Sequence, residues 1–250
     1  MNNAERYHFA HFTQENYRYL LRLARQTYTF RTYTNFNKEE RFILWRHDVD
    51  FSMHTATKLA QIEFEEGMVA TYFLHLHNPY YNLLEKEINR CVQSILALGH
   101  SIGLHFDIHY YDIHQEEDLE KRLKWEKSVL EEVFGQEICV FSFHRTTPFT
   151  MNCQKWQYAG MINTYAEYFQ TQVGYCSDSN GYWRNHQLEN VLSEAHDERL
   201  QVLTHPGWWQ ETPMSPLQRI YLCIDRQTAN MKQKYNCLLK EMGRNNVDLE

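Results

Sequence analysis

Two aspartates two residues apart, Asp48 and Asp50, and two histidines four apart, His105 and His109, are the residue types that hold a metal ion. Carboxylate oxygens together with imidazole nitrogens suit a borderline divalent ion such as zinc, and residues four apart share one face of a helical turn. Further reactive clusters stand elsewhere in the chain: His144-Arg145, Asp178 with Trp183, and His205-Pro206-Gly207-Trp208-Trp209. Each alone has an ordinary structural use, as a cap or a packed ring. Their positions relative to the expected strands make them a set.

Short β-rich runs occur at 42–46, 69–74, 101–105, 138–143, 161–165, 173–177 and 200–204, and they predict strands. Between them the pattern turns helical. Leu84, Ile88, Cys91, Val92, Ile95 and Leu96 recur at three and four, Gly99 can cap the helix, and similar helices fit 52–66, 118–134 and 215–243. Strands alternating with helices imply a parallel sheet with right-handed crossovers, and seven strands favour a barrel over an open sheet. The reactive clusters fall just past the first, third, fourth, sixth and seventh strands. In parallel α/β folds those ends share one face, where active sites assemble.

The chain has 250 residues, 43% hydrophobic and 15% aromatic, which is enough for one sizeable core and predicts a single domain over 1–250, with the motifs in 42–209. Residues 1–41 form an N-terminal cover, in which the aromatic segment 7–36 reads as a helix plus extended chain, and 210–250 read as a C-terminal helix. A net charge of −7 with both signs interspersed offers no basic face for nucleic acid. The opening MNNAERYHFAHF lacks a basic segment followed by an apolar run, and no apolar stretch reaches the roughly 20 residues of a membrane span. The expectation is a cytoplasmic chain without a membrane span. Six scattered cysteines with no CxxC pair predict free, buried thiols.

In order, these motifs resemble those of the NodB-homology polysaccharide deacetylases, carbohydrate esterase family four. WRHDVDFS is similar to that family's first motif, an aspartate pair closing strand one, and GHSIGLHFDIH to its His-x3-His motif. SFHRTTP, SDSNGYW and LTH resemble the third, fourth and fifth. The resemblance implies a deformed (β/α)7-type barrel and a metal-dependent carbohydrate deacetylase. It implies Asp48 as general base, Asp50, His105 and His109 as ligands of a divalent metal, most simply Zn2+, and Arg145 as the group that orients the base. It also implies an acetyl pocket lined by Asp178 and Trp183, and His205 as general acid. The aspartates are separated by Val49 where most members have them adjacent, Pro148 follows an extra threonine, and LTHPGWW replaces a common hydrophobic ending. These departures resemble a branch associated with bacterial surface-polysaccharide biosynthesis, including lipopolysaccharide O-antigen. They leave Asp107 and His144 beside His109 as third-ligand alternatives.

An ion in such a set keeps open positions for water and the acyl oxygen. Trp183, Trp208 and Trp209 supply apolar walls for an acyl group or a sugar ring. His75 and His77, ending strand two, read as pocket lining or surface, and His47 and His100 as packing or capping. Cys176, with nothing adjacent to lower its pKa, reads as a small buried residue. The expected partner is an N- or O-acylated amino sugar or glycan precursor. A deformylase on the same machinery is the alternative among enzymes, and a non-catalytic carbohydrate-binding or scaffold protein the alternative outside them. The acidic balance disfavours a phosphoesterase.

Overall fold

A computed structural model describes residues 2–244. All seven expected strands are present: β2 Phe42–Val49, β3 Thr71–Leu74, β4 Ser101–Phe106, β5 Val140–Phe143, β7 Met161–Asn163, β8 Gly174–Ser177 and β9 Arg199–Thr204. Two short strands, β1 Thr29–Arg31 and β6 Gln157–Tyr158, join them. The order is β6-β7-β5-β4-β3-β2-β9-β8, with β1 beside β2, and every pairing except β6 with β7 is parallel. This is the cyclic order of a seven-stranded barrel opened at one seam. Among the described residues no backbone pairing joins β7 to β8.

Strand β2 is central and all eight of its residues are buried, as expected of a parallel strand covered on both faces. Its register fixes the site. Arg46 to Val49 lie alongside Thr71 to Leu74 of β3, and Phe42 to His47 alongside Arg199 to Thr204 of β9. The next helix, Met53–Glu65, starts where the Ser52 side chain accepts from the Thr55 N–H. The helix Lys86–Ala97 ends at Leu98, and Gly99 follows in the left-handed region at φ +87. Glu116–Phe134 closes on Gly135.

The N-terminal cover contains the helix Gln14–Arg25 and β1. Its apolar face, Tyr17, Leu20, Leu21 and Ala24, is buried in the core. Burial there leaves polar ends to satisfy: the Tyr17 hydroxyl donates to the buried Glu63 carboxylate, which also receives Tyr72 at 2.7 Å and faces His47 Nε2 at 2.5 Å. His47 Nδ1 in turn meets Thr204 Oγ1 at 2.8 Å, tying β2 to β9 one residue before His205. The C-terminal helix runs Pro216–Glu241. Residue 1 and residues 245–250 of the expected domain and C-terminal segment lie outside the described residues.

Candidate active site

The strand ends bring Asp48 of β2, Asp50 just past it, His105 of β4, His144 after β5 and His205 after β9 to one mouth of the barrel. They line a cavity of about 720 Å³ that also takes in Phe51, Tyr165, Tyr175 and Trp208. Phe169 and Val173, from the segment joining β7 to β8, and Gln201 of β9 also line it.

Asp48 projects inward on the same face of β2 as Arg46, since residues two apart share a strand face. Arg46 is fully buried and clamps that carboxylate, with Nη2 2.7 Å from Oδ2 and 3.0 Å from Oδ1, and Nε 3.2 Å from Oδ1. Its remaining donor Nη1 reaches Thr164 Oγ1 at 3.0 Å, and its guanidinium lies 5.0 Å from the Phe73 ring centre and 5.5 Å from that of Tyr165. Phe73 can stand there because Gly103 lies beside it in β4; a Cβ at Gly103 would come within 2.7 Å of the ring. Burial opposes ionisation of Asp48, but Arg46, then His105 and His205, outweigh it and hold the carboxyl below its ordinary value.

Asp50 presents Oδ1 to His105 Nε2 at 3.3 Å and Oδ2 to His205 Nε2 at 3.8 Å. Burial is again outweighed, by His105 first and then His205 and His144, so its carboxyl sits far below the usual range. Oδ1 is buried and the approach of His105 lacks hydrogen-bond alignment, leaving the atom without a partner. The potential ligand atoms of Asp50, His105 and His144 all lie within 4.8 Å of one another. A buried, unpartnered carboxylate oxygen converging with two imidazoles fits a bound divalent cation.

Outer partners fix each ring. His105 Nδ1 lies 2.7 Å from Ser142 Oγ, His144 Nδ1 3.2 Å from Asp107 Oδ2, and His205 Nδ1 2.6 Å from Asp178 Oδ1. Engaging Nδ1 leaves Nε2 as the nitrogen available at the centre, the usual way a ligating or proton-transferring imidazole is oriented. Asp178 is fully buried and also accepts from the His205 N–H at 3.1 Å and from Trp209 Nε1 at 2.9 Å. Burial disfavours a charged His205, yet Asp178, followed by Asp50 and Asp48, pushes its pKa up to about 9.

Several expected residues stand elsewhere. His109 points away from Asp50: its Nε2 is 3.2 Å from the Arg145 carbonyl oxygen, and it lines a separate small cavity with Asp112 and His114. The reason is local. Asp107 caps the one-turn helix Ile108–Tyr111 by accepting from the His109 N–H at 2.9 Å, which turns the His109 ring outward. Arg145 does not touch Asp48; its side chain is 64% exposed at the cavity rim, 3.6 Å from Asp107, on a backbone with φ +48. Asp178 lies behind His205 and outside the cavity lining. Trp183 stacks on Phe12 of the N-terminal cover, 5.2 Å between centres, and Trp209 is fully buried against Tyr17, so Trp208 alone of the three tryptophans borders the cavity.

Arg46 and Ser142 were missed by sequence reasoning; the i, i+2 spacing of Arg46 and Asp48 was the available signal. His75 is buried, with Nε2 unpartnered, and grouped with Asp107 and His144 within 4.8 Å, so it is neither surface nor cavity lining. His77 is partly exposed and stacks on Tyr110 at 3.6 Å. His100 accepts from the Ala70 N–H at 3.2 Å and lies 2.9 Å from the Ala60 carbonyl, a packing and capping role. All six cysteines are free, though only three are buried. Burial, then Asp178, pushes the Cys176 thiol up to about 12 and removes it as a nucleophile.

No family model and no curated protein matches this chain. Solved structures similar to it include a peptidoglycan N-acetylglucosamine deacetylase in complex with an N-oxidanyl-benzamide, at 17% identity and TM-score 0.46, covering 79% of this chain and 85% of that one. A family 4 acetyl xylan esterase from Clostridium thermocellum, in complex with a cobalt ion, matches at 12% identity and TM-score 0.44, covering 81% and 92%. A CE4 family pseudoenzyme from Bacillus anthracis matches at 13% identity and TM-score 0.41, covering 79% of this chain and 63% of that one.

Proposed function

We propose that this chain is a divalent-metal-dependent hydrolase that removes an N- or O-acyl group, acetyl in the first instance, from an amino sugar or a surface-glycan precursor. The observation that carries the reading is one barrel mouth at which Asp50, His105 and His144 converge, between an Asp48 clamped by Arg46 and a His205 clamped by Asp178.

Asp50, His105 and His144 would hold the ion, and one carboxylate with two imidazoles favours zinc among the common divalent metals. When bound, such an ion polarises the acyl carbonyl and acidifies water. Asp48, kept ionised by Arg46, accepts the proton of the attacking water. His205, with Nδ1 held by Asp178, presents Nε2 to the cavity and returns a proton to the departing amine or alcohol. Without that proton an amine is a poor leaving group, so His205 governs collapse of the tetrahedral state. Trp208 and Phe51, 5.3 Å apart between ring centres, form an apolar wall beside Asp50 against which a sugar face or an acyl methyl can pack.

The test is acetate release from N-acetylated amino sugars and their nucleotide- and lipid-linked forms, with and without a chelator, beside N-formyl counterparts. Chelator-sensitive release of acetate supports the reading. Preference for the formyl compounds moves it to a deformylase, and absence of hydrolysis with metal bound moves it to a carbohydrate-binding protein.

A further inference from the structure

The C-terminal helix Pro216–Glu241 carries two faces. One meets the barrel: Arg219 and Cys223 are buried, Ile220 packs on the core, and Lys234 reaches Glu85 at 3.0 Å and Glu87 at 2.7 Å. The other lies roughly a third of a turn around the helix, at about 100° per residue. It consists of Leu217, Tyr221, Ile224, Thr228, Met231, Tyr235 and Leu238, with Met242 just past the end, at spacings alternating four and three. Its seven large apolar residues are 36% to 64% exposed. That is a heptad seam, the pattern by which one helix packs along another, and it has no partner among the described residues.

We infer that this seam pairs with the same seam of a second copy of the chain, antiparallel, about a two-fold axis between Ala229 and Asn230. Three observations carry this. The stripe is palindromic: antiparallel pairing sets Leu217 against Met242, Tyr221 against Leu238, Ile224 against Tyr235 and Thr228 against Met231, so one surface complements itself as a two-fold interface requires. The area suffices: seven half-exposed side chains at about 100 Å² each offer roughly 700 Å², close to the about 800 Å² per partner of a standard interface and large for a free monomer. The flanking charges select the direction. Asp225 and Lys232 lie on the same edge of the seam, and antiparallel pairing sets Asp225 beside the partner's Lys232 twice. A parallel pair would set Asp225 across from Ile220 and Lys232 across from Gln227, with no opposite charge to meet. No residue of the seam lines the catalytic cavity, and the inference does not depend on the proposed reaction.

Sedimentation equilibrium of the full chain tests it. The expected mass is twice the 30.3 kDa of the chain. Ile224→Glu with Met231→Glu, both at exposed helix positions that glutamate tolerates, should weaken dimerisation at least about a hundredfold and give the monomer mass, with helical circular dichroism retained. Asp225→Lys should weaken it roughly five- to tenfold, and adding Lys232→Asp should restore it. A monomer at every concentration overturns the inference, as does a dimer untouched by the double glutamate variant. A charge reversal that fails to restore association overturns it too.

Discussion

Replacing Arg46 with methionine removes the three N–H to carboxylate contacts that hold Asp48, at 2.7, 3.0 and 3.2 Å, inside a site from which both side chains are withdrawn from water. A buried ion pair adds little net stability over an apolar pair, yet stripping one partner strands a charge and costs about 3–5 kcal/mol. Arg46→Met is therefore expected to lose about 3–5 kcal/mol by urea unfolding of the chelator-treated protein at pH 7, a large share of the about 5–15 kcal/mol that domains possess. Asp48→Asn should also destabilise, because it leaves the guanidinium with Thr164 and two aromatic rings for company. The double variant, with neither charge, should recover to within about 1–2 kcal/mol of wild type, giving a coupling of about 3 kcal/mol between two side chains in direct contact. Arg145→Ala, at the exposed rim, should change stability by under about 0.5 kcal/mol. Single losses below about 1 kcal/mol that simply add would refute the claim that Arg46 is the group holding Asp48, and Arg46→Lys supplies a milder probe if the methionine variant does not fold.

Asp178→Asn should lower kcat by about 10²- to 10⁴-fold with a small change in KM, because His205 loses the carboxylate that sets its tautomer and charge; steady-state kinetics on an N-acetyl sugar reads this, and an unchanged kcat removes His205 from proton transfer. Glu66, bonded by Arg22 and then Arg18 of the N-terminal helix, has its pKa lowered to about 2, so its stabilising contribution is present above its ordinary value near 4.5 and fades as pH falls toward 2. Glu66→Gln should accordingly cost about 1 kcal/mol at pH 7 and progressively less below pH 4.5 in thermal unfolding, and a deficit that is the same at pH 3 contradicts this assignment.

The alternation of short β-rich runs with helical periodicity disclosed the seven parallel strands, because a parallel strand needs a long crossover to the next. It could not disclose the open seam: the gap between β7 and β8 depends on strand pairing across the barrel, which local pattern does not encode. Convergence of Asp48, Asp50, His105, His144 and His205 was legible because strand ends of a parallel sheet share a face. What the sequence hid is which neighbour serves which. His109 stands at ligand spacing in the chain, but the Asp107 cap turns it outward, leaving His144 nearest the other two. Arg145 matches a motif, yet Arg46, concealed inside a fully buried strand, makes the contact expected of it. Asp178 and Trp183 stand outside the cavity lining, one supporting His205 and the other stacking on Phe12 of the N-terminal cover.

The central claim is a divalent ion held by Asp50, His105 and His144. Elemental analysis of purified wild type and of Asp50→Ala, His105→Ala, His144→Ala and His109→Ala tests it directly. The expected result is close to one zinc or similar ion per chain in wild type and in His109→Ala, lost in the other three along with chelator-sensitive hydrolysis. An ion retained by His144→Ala and lost from His109→Ala would contradict the account, as would a wild-type protein that takes up no metal on reconstitution.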